Sequence, residues 1–357
     1  MERREALQEH RAAGRKVLGV LPGRYPRELP AALGLAHVEF WDPPAEPLVA
    51  ARHLQPFVCS VVQRSLEQIL RSSGQVDGFL YPHLCDSVQN LFTIVRDCVQ
   101  DPRPTHLFYP PREGAAGDGA AAYLAGHMRE LVTALGLSLG VSATDDDMAR
   151  AVQEGTRANA ALAALYLARE EGRVAPSNGD FYGLVRQGEF RSLTATAELW
   201  ETSCEALGQG DGHTKVVLSG LLPDAGLLRL LDQHRVAVVE DDLLSCGRRL
   251  LRTGYPRAED PFAAAAAAFL GQPPCSSIAS PVEARGNFLQ GLVKKSGARA
   301  IIFHTIKFCE MELFDHPFLL RWLREREIPT VVLESELHQS QYGQMETRLE
   351  AFLEMNG

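Results

Sequence analysis

The 357-residue sequence predicts an α/β protein with two parallel-sheet lobes around a helical middle. Short apolar, β-branched runs alternate with helix-period segments in the first third and again in the last third, and the strand signals stop in between. With 45% of residues apolar, the chain can bury more than one core.

The first lobe is placed at residues 1–120. Buried strands are read at "VLGVLP" (17–22), "HVEFW" (37–41), "DGFLYP" (77–82) and "THLFYP" (105–110). Between them, Pro26 to Leu33, Ser60 to Arg71 and Asp86 to Gln100 carry apolar residues at three- and four-residue spacing, so a mostly parallel sheet covered on both faces follows. Residues 121–212 form the helical middle and a linker. There Thr144 before Asp145, Asp146 and Asp147 reads as a helix cap with an acidic first turn rather than a metal site. "GQGDGH" (208–213) reads as the linker, because a glycine pattern with no preceding strand is a poor phosphate motif. The second lobe, 213–357, has strands at "KVVLSG" (215–220), "RVAVVE" (235–240), "ARAIIFHT" (298–305) and "IPTVVLE" (328–334) and a last helix from Gln344 to Met355. "PFAAAAAAFL" (261–270) is an alanine-rich helix suited to close packing, and "RWLREREI" from Arg321 is an outer helix face.

The net charge of −9 comes from 45 acids and 36 bases without long single-sign runs. That balance argues against a nucleic-acid or membrane-binding face. A charged first sixteen residues and the lack of a spanning segment predict a cytoplasmic protein. Seven scattered cysteines, an odd number, fit a reducing compartment, and no pair has zinc-site spacing.

In open parallel sheets, ligands collect beyond the carboxyl ends of strands, where helix N-termini point their amides into one crevice. Three thiols share that address. Cys85 follows "DGFLYP", Cys309 follows "AIIFHT" by four residues, and Cys59 opens the helix "CSVVQRSLEQIL". A helix N-terminus stabilises thiolate, the form that binds metal. Cys98 and Cys204 lie within helical periodicity and are read as core; Cys246 and Cys275 stay ambiguous near loops of the second lobe.

The segments "DGFLYPHLCDSVQN" and "IIFHTIKFCEMELFDHPFLLRWLREREIPTVVLESELHQSQYGQMETRLEAFLEM" resemble motifs of the 2-hydroxyacyl-CoA dehydratase and benzoyl-CoA reductase family. "GRYPRELPAALG", "PFVCSVVQRSLE" and "AVVEDDLLSCGRR" add to the resemblance, which runs from Gly23 to Met355. It implies two flavodoxin-like or Rossmann-like lobes and a four-iron four-sulfur (4Fe-4S) cluster, with the family's three ligands falling on Cys59, Cys85 and Cys309. It also implies a homologous second subunit, an acyl-CoA substrate and a separate ATP-hydrolysing iron-sulfur activator that injects one electron to form a thioester ketyl radical. No Walker A pattern is present, so ATP enters only through that activator.

Several polar residues lie beside this expected site. His83 and His304 are candidate proton relays, Asp86 either a helix cap or a hydrogen-bonding neighbour of the cluster, and Arg248, Arg249 and Arg252 either partners of CoA phosphates or solvated residues of an exposed helix face. Glu336 stands where the family often has aspartate. The paired cysteines of a double-cubane branch are missing, since "PPCSSIASP" offers only Cys275. The rival expectations are a cluster-free scaffold or regulatory homologue and a stand-alone double-cubane reductase.

Overall fold

The computed structural model describes residues 2–41, 46–112, 118–209, 213–337 and 342–356. The chain begins with helix α1 (Arg3–Ala12), strand β1 (Val17–Val20), α2 (Glu28–Ala32), β2 (Ala36–Glu39), α3 (Ser60–Arg71), β3 (Gly78–Pro82), α4 (Asp86–Thr93) and β4 (Thr105–Phe108). The four strands pair in parallel in the order β2-β1-β3-β4; β1, β2 and β3 are buried throughout, and the edge strand β4 is half-buried except at Phe108, which is buried. Gly19, in the second strand of that order, leaves room for two rings: a Cβ there would lie 2.6 Å from both Phe40 and Phe79.

The middle is helical: α5 (Asp118–Leu139), α6 (Asp145–Glu170), α7 (Asn178–Val185) and α8 (Leu193–Glu205). Thr144 caps α6 as expected. Its Oγ1 accepts the Asp147 amide at 3.2 Å, and its own amide donates to Asp147 Oδ2 at 2.9 Å, a reciprocal arrangement of a kind that contributes about 1 kcal/mol. Part of the expected linker forms a strand. Strand β5 (Arg173–Val174) pairs antiparallel with β6 (Gly208–Gln209), while positions 210–212 lie outside the described residues.

The last part repeats the first in β7 (Thr214–Gly220), α9 (Ala225–Gln233), β8 (Val236–Leu243), α10 (Pro261–Leu270), α11 (Val282–Ser296), β9 (Ala300–Ile306), α12 (Glu310–Arg324), β10 (Thr330–Ser335) and α13 (Gly343–Asn356). Its parallel sheet runs β10-β9-β7-β8. In the first lobe the order, numbered within the lobe, is 2-1-3-4; in the second it is 4-3-1-2, the same order read from the other edge. This is the flavodoxin-like pattern, whose binding crevice opens between the first and third strands, where the chain changes direction across the sheet.

Two features bind the lobes together. The alanine-rich α10 packs Phe262, Ala265, Ala266 and Phe269 into the core shared by β1, α5 and α6, where small residues permit close helix approach. One apolar cluster then continues across both lobes, from Phe79, Tyr81 and Leu21 to Leu221, Leu222, Leu244 and Ile306. Polar contacts follow the same seam: Arg249 pairs with Glu39 at 2.6 Å, and the amide of Leu337 donates to Ser60 Oγ at 3.0 Å. Among the described residues, no helix is long and apolar enough to cross a membrane.

Candidate thiolate centre

Each of the three expected cysteines is the residue just before a helix: Cys59 before α3, Cys85 before α4 and Cys309 before α12. The local reason is the same in all three. Each cysteine has non-helical backbone as the residue before the first helical turn, and helix-period apolar residues begin after it, as in Val62, Leu66 and Ile69 of α3. Cys85 follows β3 and Cys309 follows β9, which are the third strands of their respective lobes in chain order. The repeat of the fold thus places two of the sulfurs at equivalent points.

The structure brings all three together. Cys59, Cys85 and Cys309 line one cavity, walled by Leu21, Leu84 and Val88 of the first lobe and by Leu221, Leu222 and Leu244 of the second. Leu21 follows β1 and Leu221 follows β7, so the cavity sits at the switch point of both sheets at once.

Burial dominates the electrostatics. It pushes the Cys59 thiol up to about 12, with the Val62 and Val61 amides pulling the other way. The Cys85 thiol is raised by burial and opposed by the amides of Val88 and Ser87. Cys309 is raised well above its ordinary value, first by burial and then by the charges of Cys59, Glu312 and Cys85. The amides act as partial positive charges that become effective once a cation or cluster replaces the protons.

The donor set has a definite chemistry. Three soft sulfurs in an apolar wall suit an iron-sulfur cluster or another thiophilic metal centre, with one coordination position not supplied by cysteine. The other four cysteines lie elsewhere, and all seven are free thiols. By contrast, His234, Glu346 and Glu350 offer ligand atoms within 4.8 Å of one another on the outer surface of the second lobe, where His234 is half-buried and both glutamates are exposed.

The expected histidines are buried but do not line this cavity. His83 Nε2 meets Gln89 Oε1 at 2.9 Å, and its ring lies 4.1 Å from that of Tyr109. His304 Nε2 meets Ser335 Oγ at 2.8 Å, and burial holds its imidazole below the ordinary value. Asp86 is the first residue of α4, exposed, with Cys85 in the cap position. Glu336 pairs at 3.4 Å with Lys307, two residues before Cys309.

Two expectations are corrected. Cys98 is exposed rather than core, because α4 continues from Ile94 to Val99 as a π-helical turn that changes the face its residues present. Arg248 and Arg249 are neither solvated nor open to a phosphate. Arg248 has no solvent exposure and binds Asp242 and Glu312, while Arg249 holds Glu39. Arg252, half-buried, grips Glu240 through two bonds.

Sequence reasoning missed the buried network behind Cys309. Arg248 and Arg285 face Asp242 and Glu312, and Arg285 also bonds Asp315 at 2.7 Å. Cys275 belongs to it: burial opposes its ionisation, yet Arg248 and Arg24 bring the thiol below its usual value. Only the run Glu240-Asp241-Asp242 at a strand end hinted at buried charge in need of partners.

A family model described as 2-hydroxyglutaryl-CoA dehydratase, D-component, matches residues 23–356. The chain is 27% identical to the beta subunit of (R)-2-hydroxyglutaryl-CoA dehydratase of Acidaminococcus fermentans over 98% of this chain and 94% of that one. It is 23% identical to the (R)-phenyllactyl-CoA dehydratase beta subunit of Clostridium sporogenes over 96% and 92%. It is also 22% identical to a subunit of the benzoyl-CoA reductase of Thauera aromatica over 89% and 84%. With three crevice thiols, a doubled parallel sheet and a match along nearly its whole length, the chain belongs to the 2-hydroxyglutaryl-CoA dehydratase D-component family.

Proposed function

We propose that this chain is the subunit of a 2-hydroxyacyl-CoA dehydratase or benzoyl-CoA reductase type of enzyme that holds one 4Fe-4S cluster on Cys59, Cys85 and Cys309. The supporting observation is the delivery of three sulfurs, from helix starts in both lobes, to one apolar cavity. When bound, the cluster supplies one-electron transfer at low potential toward an acyl-CoA thioester.

The protein's own residues do the remaining work. Leu21, Leu84, Leu222 and Leu244 keep water from the sulfurs, and the first-turn amides of α3, α4 and α12 offset the thiolate charge. His83 and His304 are the proton carriers in this reading, each of which must exchange its present partner, Gln89 or Ser335, to move a proton.

Partners follow from the same reading. Leu313, Phe314 and Phe318 of α12 expose apolar surface on the helix that Cys309 opens, which supports docking of a homologous second subunit there. A separate ATP-dependent iron-sulfur activator delivers the electron. Seven free thiols fit the reducing cytoplasm.

Anaerobic co-expression with the second subunit and the activator tests this. Assays on 2-hydroxyacyl-CoA and aromatic acyl-CoA thioesters are expected to show ATP-dependent turnover of one class, abolished by Cys309→Ala. Turnover unchanged by that substitution would place the redox centre elsewhere.

A further inference from the structure

Phe308 stands in a backbone conformation that its side chain disfavours. Its φ is 62°, in the left-handed region, within the turn closed by the Cys309 amide on the Ile306 carbonyl at 3.0 Å. Glycine takes that position without steric cost. The other non-glycine residues with positive φ among those described are Gln100, Arg235, Ala279 and Glu327, and all follow the ends of helices, where a left-handed residue is the usual way to stop. Phe308 instead precedes a helix, immediately before a cavity cysteine.

Its side chain is 45% exposed, and Phe308 lines the same cavity as Cys59, Cys85 and Cys309. A side chain that touches both solvent and the cavity occupies the mouth. We propose that Phe308 is a shielding residue, held in a strained turn so that its ring closes the thiol cavity against water and small oxidants. The inference rests on the cluster reading for its purpose, but the shielding acts on the sulfurs themselves.

The experiment separates the two. The metal-free full-length chain is treated with N-ethylmaleimide, and modification is followed at each cysteine by peptide mass spectrometry, with exposed Cys98 as internal control. Phe308→Gly and Phe308→Asn both remove the ring and tolerate the turn; either is expected to raise the rate at Cys85 and Cys309 by roughly fivefold with Cys98 unchanged. Phe308→Leu, which keeps an apolar cover, is expected to stay near the wild-type rate. In cluster-loaded protein, the glycine variant is expected to bleach faster in air. Unchanged alkylation at Cys85 and Cys309 in a folded glycine or asparagine variant would overturn the proposal, and would also be the result if Phe308 served only as a partner contact. Faster alkylation in a chain that never takes up iron would keep the shield and reject the cluster.

Discussion

Glu312 accepts a hydrogen bond from Arg248 at 2.9 Å, three residues beyond Cys309 and inside the first turn of α12. Neither side chain reaches solvent to a meaningful extent. Burial opposes the charge on Glu312, but Arg248 and Arg285 hold its carboxyl well below the usual range. Arg248 also grips Asp242 at 2.7 and 2.9 Å, so a charge at the end of β8 is tied to the helix that presents Cys309.

Removing one partner leaves two buried guanidinium groups short of a counter-charge. Glu312→Ala is therefore expected to cost about 3–5 kcal/mol of stability. Urea denaturation of the metal-free chain checks this, and a loss below about 1 kcal/mol would mean that water or a rearranged Asp242 compensates.

The crevice depends on close strand approach. A Cβ at Gly220, the last residue of β7, would sit 2.5 Å from the His304 carbonyl oxygen of β9. Because backbone yields less than a flexible side chain, Gly220→Ala is expected to cost about 1–3 kcal/mol. The same denaturation curve reads it. An unchanged midpoint would show that the two strands separate freely.

Acid sensitivity has one assignable source in His37. Burial lowers its imidazole to about 3, and its Nε2 meets the Gly188 carbonyl at 3.0 Å, joining β2 to the helical middle. The folded state thus keeps His37 neutral, while the unfolded chain takes up a proton below about pH 6.5. Its contribution is present above that pH and is lost as pH falls toward 3. Between pH 7 and pH 5 the expected loss from this group is about 2 kcal/mol. His37→Gln should flatten that part of the stability profile, and an identical profile would assign the sensitivity to other groups.

Most elements were legible in the sequence because their signals are local. Val17 to Val20 and Ala300 to Ile306 are buried, mostly apolar strands, and Ser60 to Arg71 carries its apolar stripe at helical spacing. That Cys59, Cys85 and Cys309 stand at helix starts was legible for the same reason: a helical pattern begins just after each. Arg248 and Arg249 were not. Arg248 bonds Asp242 only six residues away, but its second partner Glu312 lies 64 residues off and Arg249's partner Glu39 lies 210 residues off, so the neighbouring acidic run hinted at buried charge without showing which arginines leave water. Cys98 misled because a π-helical turn is a single extra residue of backbone slack, which leaves the hydrophobic spacing nearly unchanged.

Iron and acid-labile sulfide content after anaerobic purification or reconstitution, measured beside Cys85→Ser, tests the shared sulfur centre most directly. A brown protein with about four irons is expected, with most of them lost in the variant and helical circular dichroism retained. A wild-type chain that stays colourless after reconstitution, or a variant with equal iron, would contradict it.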